Sequence, residues 1–184
     1  MVLDIKEQIA YHTCKADNGY HFIVKNIPFI SGNGSNQWLT QGYYFWTDSD
    51  YWAKKWGKPE NRAIGKFKIN LCFSSEILDL VGNVEHQLEF QKFAELILQK
   101  TKEGDHLTVN QIVTWLRGKK EIFPYKGIKA EDQTRVVKYK FVSQRNETMS
   151  LVTRQQLCIF EEGREKVKLL GFIEPKSFTS HLPR

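Results

Sequence analysis

The sequence is short of the residues that build most specialised sites. It has three cysteines in 184 residues, Cys14, Cys72 and Cys158, all far apart. No CxxC pair exists, so neither a zinc knuckle nor a disulfide framework is indicated. Reduced thiols of a cytoplasmic protein are the simple reading. The five histidines (His12, His21, His86, His106 and His181) have no ligand spacing and no His-Glu-x-x-His pattern, so no metal site is expected. The glycine-rich loop at 31–37 lacks the Gly-Lys-Ser/Thr of a phosphate loop and the spacing of a dinucleotide fingerprint. No Gly-x-Ser-x-Gly elbow is present, which removes one hydrolase class. No apolar run approaches the roughly 18 residues that span a bilayer. Residues 1–10 carry Asp4, Lys6 and Glu7 without an apolar core, so they do not read as a signal peptide. The expectation is a soluble chain with no membrane partner.

What is present is aromatic and basic. A hydrophobic fraction of 41% in 184 residues is enough for one domain with a real core, spanning 1–184. Formal net charge is +6, which allows an anionic partner without requiring one. The basic excess falls at 62–68, 117–120, 135–140 and 164–168. Basic charge alone is a weak sign of nucleic-acid binding, so solvated faces are the favoured reading of these clusters.

The order of elements reads as strands, then helices, then strands, which is α+β. Tyr20 to Ile30 is largely apolar and broken by Pro28. Gly42 to Trp46 is a compact strand candidate. Asp48 or Ser49 can cap a helix over 50–57. Phe67, Ile69, Leu71 and Phe73 alternate with polar residues and predict a strand with one wet face. Residues 84–100 predict a helix with Phe90, Phe93, Ala94 and Ile97 on one stripe. Thr108 can cap a second helix that turns Ile112, Trp115 and Leu116 inward and stops at Gly118. Val137, Tyr139 and Phe141 alternate, 143–148 reads as a hairpin loop, and strands follow at 151–160 and 169–173.

Three places can carry chemistry. His12, near the end of an early strand, can donate a hydrogen bond to a ribose hydroxyl; the alternative is a packed histidine. The ring of Tyr44 can stack on a flat heteroaromatic, with Trp56 as a second wall, and a cationic pyridinium would add a cation–π term; the alternative is core packing. Gly42 can admit a ligand close to the backbone or can be a strand-entry glycine. Gln156 can bond a ribose hydroxyl or face solvent. Its amide cannot act as a general base, and it stabilises a cationic transition state less than a carboxylate does. Asp50, Glu131 and Asp132 are candidate substitute carboxylates that spacing does not separate.

Taken in order, Tyr11-His12-Thr13-Cys14, then Gly42-Tyr43-Tyr44-Phe45 with Ala53-x-x-Trp56, then Gln156-Leu157-Cys158-Ile159-Phe160 resemble the three motifs of the ADP-ribosyltransferase superfamily. The branch they look most like is that of poly(ADP-ribose) polymerases and diphtheria toxin, among its small bacterial members. The middle motif matches closely. Thr13 stands where the first motif has glycine and Cys14 where it has Thr or Ser, while Gln156 replaces the glutamate of the third. The resemblance implies two small antiparallel sheets around a cleft with flanking helices. It also implies NAD as substrate, held by His12, Thr13, Gly42, Tyr44, Ala53 and Trp56. Gln156 and His12 would be the catalytic pair. The implied activity is mono-ADP-ribosyl transfer to a protein or nucleic acid, as in a toxin or effector. The replaced glutamate keeps open an inactive NAD-binding or nucleic-acid-interacting domain.

Overall fold

The computed structural model describes residues 7–34, 37–101, 107–132, 137–140 and 148–180. Nine strands and five α-helices are assigned among them. The strands are β1 (Gln8–Cys14), β2 (Tyr43–Thr47), β3 (Ala63–Ile69), β4 (Ile77–Asp79), β5 (Gly127–Asp132), β6 (Val137–Lys140), β7 (Thr148–Leu151), β8 (Arg154–Ile159) and β9 (Val167–Glu174). The helices are α1 (Gly19–Asn26), α2 (Tyr51–Lys55), α3 (Val84–Lys100), α4 (Val109–Arg117) and α5 (Lys176–Thr179).

The α+β expectation holds, but the sheets are arranged differently from the two that were expected. One seven-stranded sheet runs in the order β4-β5-β8-β2-β1-β3-β9, beside a two-stranded ribbon of β6 and β7. All neighbours in the large sheet are antiparallel except β4 and β5. The sheet is unevenly sewn. β1 pairs with β3 over seven positions, from Gln8↔Ile69 to Cys14↔Ala63. It pairs with β2 at only two, Ala10↔Thr47 and Tyr11↔Trp46. Beyond Tyr11 the two central strands part, each still held by its outer neighbour.

Helices cover both faces. Ile23 of α1 and Phe178 of α5 pack with Phe45, Phe67, Leu157 and Ile159. Ile112, Val113 and Leu116 of α4 pack with Leu78, Ile128, Cys158 and Phe160 on the other face, joined by Phe90, Phe93, Ala94 and Ile97 of α3. Successive residues of β8 thus enter opposite cores, as a period of two requires. This is why Leu157 to Phe160 is a continuous apolar run. Each large side chain so buried contributes roughly 1.5–3 kcal/mol.

Local signals explain most boundaries. The predicted helices at 84–100 and after Thr108 form as read. The Asn83 side chain accepts from the His86 N–H, and Thr108 and Gln111 form a reciprocal capping box. Trp115 departs from expectation. It is half exposed on α4 while Ile112 and Leu116 are buried. The strand read at 66–73 is β3, shifted earlier, with Phe67 and Ile69 buried as alternation requires. It stops at Ile69 because 72–76 makes a turn, in which the Glu76 N–H donates to the Cys72 carbonyl at 2.7 Å. The run expected at 151–160 divides into β7 and β8 around Val152, whose φ of 54° lies in the left-handed region. Most of the hairpin loop expected at 143–148 lies outside the described residues, as does Phe141.

Candidate functional site

Where β1 and β2 part, a cavity of about 530 Å³ opens, within the usual range for small-molecule sites. His12, Thr13, Tyr44, Trp56 and Gln156, five of the seven residues singled out from the sequence, line it together. They come from three adjacent strands and the segment after α2.

His12 bridges the gap. The Tyr44 carbonyl can only accept, so His12 Nδ1–H donates to it at 2.8 Å. Nε2 then carries the lone pair and accepts from the Phe29 N–H at 3.3 Å. The imidazole is therefore neutral, and burial drives its pKa down to about 4. The rings of Phe45, Phe67 and Phe29 surround it at 5.7, 6.4 and 6.5 Å. Its single N–H is engaged within the protein, so the expected donation to a ribose hydroxyl has no free proton here. The geometry makes His12 the side chain that replaces missing ladder bonds between the parting strands.

Tyr44 is anchored at its far end. Its hydroxyl donates to the Thr40 carbonyl at 2.7 Å and accepts from the Leu39 and Thr40 N–H groups at 3.2 Å each. Burial raises the phenol's pKa well above its usual value. Thr40 sits at φ 142°, a strained conformation for a β-branched residue, and its hydroxyl lies 2.9 Å from that of Thr114 on α4. The loop before β2 is thus fixed, and with it the Tyr44 ring on the cavity wall.

Two expected ligand residues serve the scaffold instead. A Cβ on Gly42 would lie 2.6 Å from both Cys158 Sγ and the Ile159 carbonyl oxygen. It is glycine because β8 passes there, not because a ligand does. Ala53 is fully buried with Trp46 and Ile64, and its carbonyl accepts from the Thr13 hydroxyl at 3.0 Å. That contact docks α2 on β1 and leaves Trp56, about half exposed, at the cavity mouth. The Trp46 ring lies 5.9 Å from that of Trp56.

The opposite wall is polar. Gln156 is opposed to Trp46 on β2 and to Ala130 on β5, and Arg154 to Asp132. Opposed residues share a face, so Trp46, Gln156, Arg154 and Asp132 point the same way. The Trp38 indole N–H, which can only donate, bonds Gln156 Oε1 at 2.7 Å. That fixes the amide orientation and leaves its NH2 group without a hydrogen bond among the described residues. Arg154 pairs with Asp132 at 3.0 Å, with its guanidinium 5.5 Å from the Trp52 ring and 5.8 Å from the Trp46 ring. Arg154 and Trp38 carried no signal in the sequence, and Trp46 stood out there only as the end of a strand candidate. Asp132 was one carboxylate among three; Glu131 and Asp132 both pair with β8, and the register, which turns Asp132 to the face of Gln156 and to the cavity, is what selects it. Asp50 is engaged with Lys54 at 2.7 Å.

The chain is 26% identical to an uncharacterized protein of Methanocaldococcus jannaschii over 166 aligned positions, which cover 74% of this chain and 75% of the relative. No protein-family profile matches the chain, and no solved structure does.

Several basic residues that stood out in the sequence are engaged within the fold. Arg62 pairs with Glu174 at 2.7 Å, Arg117 donates to the Gln41 carbonyl at 2.8 Å, and Arg164 donates to the Val167 and Ile27 carbonyls. Residues 135 and 136 lie outside the described set. Among the described residues no helix is long and apolar enough to cross a membrane, and no cluster of His, Cys, Asp or Glu could hold a metal ion.

Proposed function

We propose that the chain is an NAD-consuming mono-ADP-ribosyltransferase that cleaves the nicotinamide–ribose bond and passes ADP-ribose to a macromolecule. One observation carries this reading: residues 12, 44, 56 and 156, scattered through the sequence, meet at a single cavity with aromatic walls. The nicotinamide ring, cationic in NAD, enters between Tyr44, Trp46 and Trp56, where flat faces and π-density favour it. Gln156 offers its NH2 group to a hydroxyl or carbonyl oxygen of the ligand. His12 acts one step back, holding the β1 and β2 sides of the opening at a fixed separation. The three thiols are unpaired, which suits a reducing compartment, and we place the activity in the cytoplasm.

The test is nicotinamide release from NAD by the purified protein, beside Tyr44→Ala and Trp56→Ala. Release that both substitutions lower at subsaturating NAD supports the reading. The amide at Gln156 and the engaged His12 N–H favour one alternative, a domain that binds NAD without turnover. NAD raising the melting temperature with no nicotinamide released is the outcome that selects it.

A further inference from the structure

We propose that Asp132 supplies the negative charge of the active site, from the strand next to the one that carries Gln156. This rests on the transferase reading above. Breaking the nicotinamide–ribose bond leaves positive charge on the ribose carbon and its ring oxygen. A fixed carboxylate stabilises such a centre far better than a neutral amide does. Among the described residues that line the cavity, Asp132 has the sole carboxylate. Register places it on the face shared with Gln156 and Trp46.

Arg154 is a positioning residue. Its guanidinium lies near two indole rings and its Nη1 bonds Asp132 Oδ2, so the carboxylate sits at a defined place on the wall. Side-chain exposures of 11% for Arg154 and 19% for Asp132 make this a largely buried pair. Buried ion pairs are poor devices for stability alone, and this one borders the cavity.

In the step, the bond between the ribose carbon and the nicotinamide nitrogen breaks, and its electron pair leaves with neutral nicotinamide. The nucleophile, water or an acceptor hydroxyl, bonds the same carbon. Its proton passes to the Asp132 carboxylate and then to solvent.

The experiment compares nicotinamide release by the wild-type chain, Asp132→Asn, Asp132→Glu and the double variant Asp132→Asn/Gln156→Glu. We expect Asp132→Asn to lower kcat by about a hundredfold or more while KM for NAD stays within about threefold. That split reports a folded, binding-competent site. Asp132→Glu should keep at least about a tenth of the wild-type rate, and the double variant should recover part of the loss. Wild-type release that Asp132→Asn leaves within about twofold overturns the assignment of Asp132 and leaves the transferase reading standing. A loss in Asp132→Asn that neither carboxylate-bearing variant relieves overturns it as well. No release from the wild-type chain overturns both.

Discussion

The two sides of the opening use their polar groups in opposite ways. On the β1 side, His12 is buried in phenylalanine rings, and both of its nitrogens bond backbone groups of the protein. On the β5–β8 side, Gln156 has one end held by Trp38 while its NH2 group makes no hydrogen bond among the described residues, and Asp132 and Arg154 stand beside it. The polar ring on the β1 side is spent within the fold; the β5–β8 side presents an amide and an ion pair to the cavity. A histidine and a glutamine marked by the same motif pattern are thus distinguished by what each leaves unbonded.

Substitutions at the two sides should separate accordingly, and the largest effect falls on stability at His12. His12→Ala leaves the part-buried Tyr44 carbonyl and Phe29 N–H without their partner and opens a void, a loss of about 3 kcal/mol in urea denaturation. A loss below about 1 kcal/mol would mean that the strands part without help from the imidazole. The pH dependence sharpens the same point. The folded-state pKa is lowered, so between about 6.5 and about 4 the unfolded chain binds the proton and the folded chain does not. Stability therefore falls as pH drops through that window, by roughly 3 kcal/mol at most. His12→Gln should flatten that part of the curve, and an unchanged slope would assign the titration to another group.

On the other side the readout moves from stability to activity. Gln156→Glu keeps an acceptor for the Trp38 indole and adds a second carboxylate to the wall. Nicotinamide release should rise by about tenfold, against a stability cost of roughly 1–3 kcal/mol for a carboxylate placed at a buried position. A large destabilisation without gain in rate would place Gln156 with His12 as scaffold. The smallest effect on folding belongs to Trp56, which is 53% exposed. Trp56→Ala should shift the melting temperature little and weaken NAD binding by about three- to tenfold, as calorimetry would read, if its ring stacks on the ligand. Equal NAD affinity in this variant would remove Trp56 from the site.

Much of the secondary structure was legible because it depends on near neighbours. Helix α3 followed from its apolar stripe, α4 from Thr108 and Gly118, and β3 from alternation. Helix α1 was not legible because its apolar residues merge with those around Pro28. Strand β5 was not read from the sequence, and what defines it is its pairing with β4 and β8. At the site, the pattern located His12, Tyr44, Trp56 and Gln156 on common walls. It misplaced Gly42 and Ala53, because a small residue that admits a ligand and one that admits a neighbouring strand or helix look the same in one dimension.

The sequence by itself determined which segments are strands and helices near their middles, and which aromatic and polar side chains are candidates for a site, since periodicity and capping act over a few residues. The tertiary structure alone decided that the strands form one sheet that parts between β1 and β2. It also decided that the His12 proton is already engaged, and that Asp132 and Arg154 stand beside Gln156. Those outcomes depend on strand register, which brings together residues from separate segments and leaves no mark in the spacing of either.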